Sequence, residues 1–197
     1  MSKILRICSL MLALAFVFAL TACGPEETTP PNGDGPVDNP ASSLTILNEP
    51  EAVELAAFGE MIYYHVAGGG ERGDSMTTTV TIDGMDYRFM GDDLNTMTKL
   101  EAYLGQAFTP EAVQSYILWS GIKEHEGLTV QPNADGGSIL DWVNAGASLI
   151  DKSDTLASFE LKVPYGEGQD VEFAPYTVNY ALVDGFWRIS SNPGELY

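Results

Sequence analysis

Residues 87–119 read YRFMGDDLNTMTKLEAYLGQAFTPEAVQSYILW, and their pattern decides the fold class. The stretch carries the chain from the end of a strand into two consecutive helices. Leu100, Tyr103, Leu104 and, past a turn, Phe108 recur at the three- and four-residue spacing of one buried helical face. Thr98 and Glu101 stand at the spacing of a capping box, which predicts the helix start. Gly105 predicts its end, as a left-handed residue. Thr109 is then the N-cap of a second helix, with Pro110 at the first position, where a missing N–H is harmless, and Glu111 in the first turn. Val113, Tyr116 and Ile117 form its apolar face, and Gly121 closes it. Two short amphipathic helices meeting at a Phe-Thr-Pro corner suit one side of a curved sheet, whose strands are expected downstream.

Upstream, Asn48 or Glu49 to about Val66 reads as a long helix. Asn48 caps it, Glu49, Glu51 and Glu54 favour its positive end, and Gly68-Gly69-Gly70 stops it. Its apolar face is read as Val53, Ala57, Met61 and Tyr64, flanked by Phe58 and Ile62. The glycine triplet is no phosphate loop, because a preceding strand and the Gly-Lys-Ser/Thr ending are missing. Thr77–Ile82 and Met85–Met90 read as strands joined by an Asp83-Gly84 hairpin. Lys123–Gln131, a broken Ile139–Lys152, Leu156–Val163 and Val171–Val183 follow, and Asp184-Gly185 turns the chain into Phe186–Ser190. Helices first and antiparallel strands afterwards predict an α+β domain, with helices packed on a curved antiparallel sheet in a cystatin-like or nuclear-transport-factor-2-like cone.

The first 22 residues read as a lipoprotein signal peptide. Lys3 and Arg6 precede an apolar run, Ile7–Leu20, too short for a membrane span, and Leu20-Thr21-Ala22-Cys23 resembles a lipobox that makes Cys23 the lipidated first residue of the mature chain. Cys8 leaves with the signal and Cys23 is consumed by the lipid, so no thiol remains for a disulfide, a nucleophile or a metal. Residues 23–43 form a Pro- and Gly-rich tether reaching on the order of 25 Å. Residues 44–197 are left as one domain, held extracytoplasmically at the cell membrane. The chain carries 9 basic and 28 acidic residues, a net charge of −19. Loss of Lys3 and Arg6 leaves 7 against 28, about −21. Such a charge excludes nucleic acid as a partner and favours a basic protein surface.

Signs of catalysis are thin. His65 reads as a helix-end cation. Glu124-His125-Glu126 on a strand points its carboxylates one way and the imidazole the other, so no metal site is expected. Gln131–Trp142 imitates a calcium loop but lacks its first Asp and its twelfth Glu. No nucleophile elbow is present and no cofactor is implied. Met61, Tyr64, Trp119, Tyr176, Tyr180 and Trp187 are apolar core or, alternatively, the lining of a pocket in the cone.

Tyr87-Arg88-Phe89, the pair Asp92-Asp93, the Thr98-Lys99-Leu100 helix, Tyr103-Leu104 and Phe108-Thr109 follow one another in the order found in bacterial IseA-type DL-endopeptidase inhibitors. Asp135-Gly136-Gly137-Ser138 with Trp142, Val163-Pro164 and Gly185-Phe186-Trp187-Arg188-Ile189 continue it, so the chain resembles that family from about Glu49 to Ser190. The resemblance implies a non-enzymatic inhibitor of peptidoglycan DL-endopeptidases, the NlpC/P60 cysteine peptidases, that restrains autolysis from a membrane anchor. A ligand-binding lipoprotein using the cone's pocket is the alternative. An inhibitor of a cleft enzyme needs a narrow protruding element. Pro132–Ser138 offers one, with Asp135 supplying charge and Gly136, Gly137 and Ser138 little bulk, on a base of Ile139-Leu140 and Trp142. Asp135-Gly136 is equally a plain hairpin turn, and the acidic turn at Asp92 and Asp93 is the second candidate surface. If Cys23 carries the lipid, Cys23→Ser releases the protein into the soluble secreted fraction or leaves it unprocessed; unchanged membrane partition with normal cleavage would contradict the assignment.

Overall fold

Asn48 opens the first helix in extended backbone, its side chain accepting from the Glu51 N–H, and α1 then runs Glu49–Ala67 until Gly69 and Gly70 take positive φ. This and all that follows is read from a computed structural model, which describes residues 43–71, 78–133, 137–166 and 170–197. Cys23 and the tether up to residue 42 lie outside the described residues, as do Asp135 and Gly136. The chain goes on through β1 (Thr79–Ile82), β2 (Met85–Phe89), α2 (Met97–Leu104), α3 (Pro110–Ser120), β3 (Lys123–His125) and β4 (Leu128–Pro132). A 3-10 turn (Trp142–Asn144), β5 (Gly146–Lys152), β6 (Leu156–Tyr165), β7 (Glu172–Val183), β8 (Phe186–Ile189) and α4 (Pro193–Leu196) complete it.

The α+β reading holds: helices pack on a curled antiparallel sheet. The strands form two four-stranded antiparallel sheets, ordered β1-β2-β4-β3 and β5-β6-β7-β8. In the second, the Lys152 ammonium on the first strand lies 5.9 Å from the Trp187 ring on the last. A flat sheet would hold those strands roughly 14 Å apart, so the sheet curls. Its concave face, with Phe159, Leu161, Val163, Val178, Tyr180, Trp187 and Ile189, receives α1.

The hairpins at Asp83-Gly84 and Asp184-Gly185 form as expected, each with positive φ at both central residues. Thr109 caps α3 by accepting from the Ala112 N–H at 3.2 Å, and Gly121 ends it at φ 71°. Four expectations are corrected. The cap of α2 is Thr96, accepting from the Lys99 N–H, because a start at Met97 puts Met97 on the same face as Leu100 and Leu104. Gly105 is right-handed at φ −63°, and the helix ends by tightening, with Gln106 N–H donating to Tyr103 O. The single strand Lys123–Gln131 is two, folded at Glu126-Gly127, whose φ values of 52° and 82° make a third hairpin turn. Finally, α1 buries Ala52, Leu55, Ala56, Phe58, Gly59, Ile62 and Val66, whereas Val53, Ala57 and Tyr64 are half-buried and Met61 is exposed. Small residues decide this, because the helix must come very close to the sheet.

A Cβ on Gly59 would lie 2.5 Å from Ile189 Cδ1 and 2.7 Å from the Tyr197 hydroxyl. Those atoms are themselves enclosed. Gly59→Val therefore costs at least about 2 kcal/mol, since overpacking outweighs the few tenths gained in helix propensity. Urea unfolding measures it, and a stability equal to the parent would contradict this packing.

Candidate functional site

The chain crosses from one sheet to the other between Pro132 and Leu140, and this crossing is the loop singled out in the sequence. At its start, Pro132 pairs with Tyr87 across β2 and β4, and Asn133 N–H donates to Asp86 O at 3.1 Å. At its end Leu140 bridges to Tyr165, and Asp141 N–H donates to Pro164 O at 2.8 Å. Each end is thus held by a different sheet. Trp142 follows directly, fully buried, with its ring 4.9 Å from those of Tyr176 and Tyr197. Asp141 caps the 3-10 turn by accepting from Asn144. Leu140 and Trp142 form the base, whereas Ile139 belongs to the loop: it is 77% exposed.

Within the described part of the loop, Gly137 and Ser138 are exposed. The Ser138 hydroxyl accepts from the Leu140 N–H at 3.0 Å. A Cβ on Gly137 would meet nothing within 4 Å, so its surroundings are open. Asp135 and Gly136 complete the loop outside the described residues.

The second candidate surface, Gly91–Asp93, joins β2 to α2. Gly91 is forced by closeness, since a Cβ there would lie 2.2 Å from Glu71 O. Asp93 is committed internally: its carboxylate lies 2.5 Å from His65 Nε2 and accepts from the Glu71 N–H at 2.8 Å. His65 also stacks on Tyr103 at 4.6 Å, so the imidazole at the helix end meets a carboxylate and an aromatic face. Burial and the charges of Asp93 and Glu71 push the Tyr103 phenol up. Asp92 is the exposed member of the pair, accepting from Asn95. Asp92 borders a hollow with Leu128, while the crossing loop leaves from Pro132. The two surfaces therefore sit near opposite ends of β4, about 14 Å apart along the strand.

The six residues proposed as pocket or core do not converge on one cavity. Tyr180 and Trp187 are buried in the core and Tyr176 packs against Trp142, while Met61 and Trp119 are exposed. The Trp119 ring lies on Gly194, where a Cβ would come within 2.3 Å of it. Among the described residues, no three His, Cys, Asp or Glu side chains gather as a metal site.

The family model of IseA DL-endopeptidase inhibitors matches residues 43–194, which takes in both sheets and the crossing loop. The chain belongs to the IseA family. It is also 25% identical over 153 residues to a Bacillus subtilis (strain 168) protein described as uncharacterized protein YoeB, covering 73% of this chain and 81% of that one. Membership in the IseA family makes the chain an endopeptidase inhibitor with a peptidase as its partner. Sequence reasoning missed the Glu126-Gly127 turn and the C-terminal α4, although Gly127 between the polar Lys123–Glu126 and the apolar Leu128–Val130 was a usable turn signal.

Glu60, on α1, adds a charge at the base of the loop. Burial, and then the charge of Asp141, push its carboxyl up from 4.5 to about 6. The folded chain thus holds this proton more tightly than the unfolded chain does. Stability falls as pH rises from about 4.5 through 6, and the loss is complete above that. Glu60→Gln, which stays neutral, gains up to about 1 kcal/mol at pH 7.5 once solvent screening of a half-buried group is allowed for, and little at pH 4. Thermal unfolding of both proteins at the two pH values checks this; a less stable variant at pH 7.5 would contradict it.

Proposed function

We propose that the chain is a membrane-tethered inhibitor of peptidoglycan DL-endopeptidases of the NlpC/P60 cysteine-peptidase class, and that it restrains cell-wall autolysis. Lipidation at Cys23 would hold it outside the cytoplasm at the cell membrane. The single observation that carries the reading is the family match spanning the folded part of the chain. The crossing loop fits the role physically. A backbone segment with glycine and serine side chains approaches a narrow cleft closely, and ends held by two sheets reduce the entropy lost on binding. Asp135, Gly136, Gly137 and Ser138 are the proposed contact, with Asp92 and Asp93 as the second acidic surface. The net charge of −19 speeds encounter with an enzyme whose cleft is rimmed by lysine and arginine.

The test is peptidoglycan cleavage by several NlpC/P60 endopeptidases with increasing amounts of the protein. Dose-dependent loss of cleavage is expected. Gly137→Val weakens inhibition about tenfold or more while leaving the melting temperature unchanged, because the added side chain meets open space in the free protein. Undiminished cleavage by every enzyme tested would overturn the proposal, and full inhibition by Gly137→Val would remove the loop from it.

A further inference from the structure

Helix α1 carries a second, half-buried apolar stripe, whose Val53 and Ala57 pack on the margin of the core and remain partly open to solvent. Pro50, Val53 and Ala57 recur on one face and form one wall of a surface groove of about 600 Å³. The opposite wall is Val143, Ala145 and Ala147. The groove runs beside an open sheet edge, since β5 is the outer strand of its sheet and pairs with β6 alone among the described residues. Ala147 and Leu149 stand opposite the buried Leu161 and Phe159, which puts them on the concave, groove-facing side. Charge and a shift of register guard only the end of β5, at Asp151-Lys152 and between Leu149 and Asp151, so the open part of the edge is Gly146–Leu149, which contains neither a charge nor a proline. Val143 is 72% and Ile150 56% exposed.

Both ends of the groove are acidic. Glu49 and Glu54 belong to its lining at the start of α1. Glu60 lies one turn beyond Ala57, next to Asp141, which precedes Val143 by two residues. Among the described residues no ion pair neutralises any of the four.

We propose that the groove and the β5 edge bind an extended segment of a partner polypeptide, with aliphatic side chains at alternate positions and lysine or arginine at its ends. Main-chain bonds to β5 hold such a strand, and its alternate side chains enter the groove. Alanines on both walls admit valine-sized groups. From Pro50 to Glu60 the helix rises about 15 Å, the length of four to five extended residues. A second copy of this chain is disfavoured by its own net charge of −19. The proposal goes beyond the inhibitory loop and does not depend on it.

The test titrates the isotopically labelled full chain, in detergent micelles, with acetyl-Lys-Val-Thr-Val-Lys-amide and with the same peptide ending in glutamates. Saturable amide shifts at Val53–Ala57 and Gly146–Leu149 are expected for the basic peptide, with the acidic one at least tenfold weaker. Glu49→Lys with Glu54→Lys, both exposed positions, weakens the basic peptide roughly tenfold. Equal response to both peptides, an unchanged affinity in the double variant, or shifts confined to Gly137–Asp141 would overturn the proposal. So would the same shifts arising from raised chain concentration alone, which assign the groove to a second copy.

Discussion

One close contact carries the architecture: the approach of α1 to the concave face of the curled sheet at Gly59. There a Cβ would lie 2.5 Å from Ile189 Cδ1, 2.7 Å from the Tyr197 hydroxyl and 3.2 Å from Phe108 Cζ, so any side chain would push the helix away. On the same face, the Tyr180 hydroxyl donates to Ala52 O and the Tyr197 hydroxyl to Ala56 O, each at 2.7 Å. Burial pushes both phenols up, so they remain neutral donors at physiological pH. Leaving either hydroxyl buried without its carbonyl would cost about 1–3 kcal/mol, which fixes the helix along its axis as well as towards the sheet.

The far end of α1 is held by the other sheet. Arg88 and Gln131 both donate to Ala67 O, so two side chains from the β2-β4 pair cap the helix where its carbonyls lack partners. One rigid helix thereby sets the spacing between two sheets, and the crossing loop Pro132–Leu140 inherits that spacing at its ends. The described ends of the loop are thus fixed by hydrogen bonds to two sheets that share one helix.

The elements marked by chemistry were legible in the sequence. Thr109-Pro110, Asp83-Gly84, Asp184-Gly185 and Gly121 each act through local backbone preference with which the tertiary contacts agree, whereas at α2 packing of Met97 moves the cap from Thr98 to Thr96 and Gly105 stays right-handed. The face of α1 was not, because the helix is apolar over more than one stripe. Choosing between Val53-Ala57-Met61 and Ala52-Ala56-Gly59 needs the distance to the sheet, which periodicity does not contain. For the same reason the groove was invisible until β5 was placed beside α1. The division into two sheets depends on strand pairing at long range. The base of the loop was legible through Trp142, whose bulk requires burial, whereas Ile139 obeyed the exposure of its loop and not its own hydrophobicity.

The central claim, that the loop between the two sheets meets the inhibited peptidase, is tested most directly by amide hydrogen exchange of the chain, free and mixed with an NlpC/P60 endopeptidase. The account predicts slowed exchange at Gly137, Ser138 and Ile139, with the central strands β6 and β7 unchanged. Slowed exchange confined to α2, α3 or the β7-β8 hairpin, with Gly137–Ile139 exchanging as in the free chain, would contradict it.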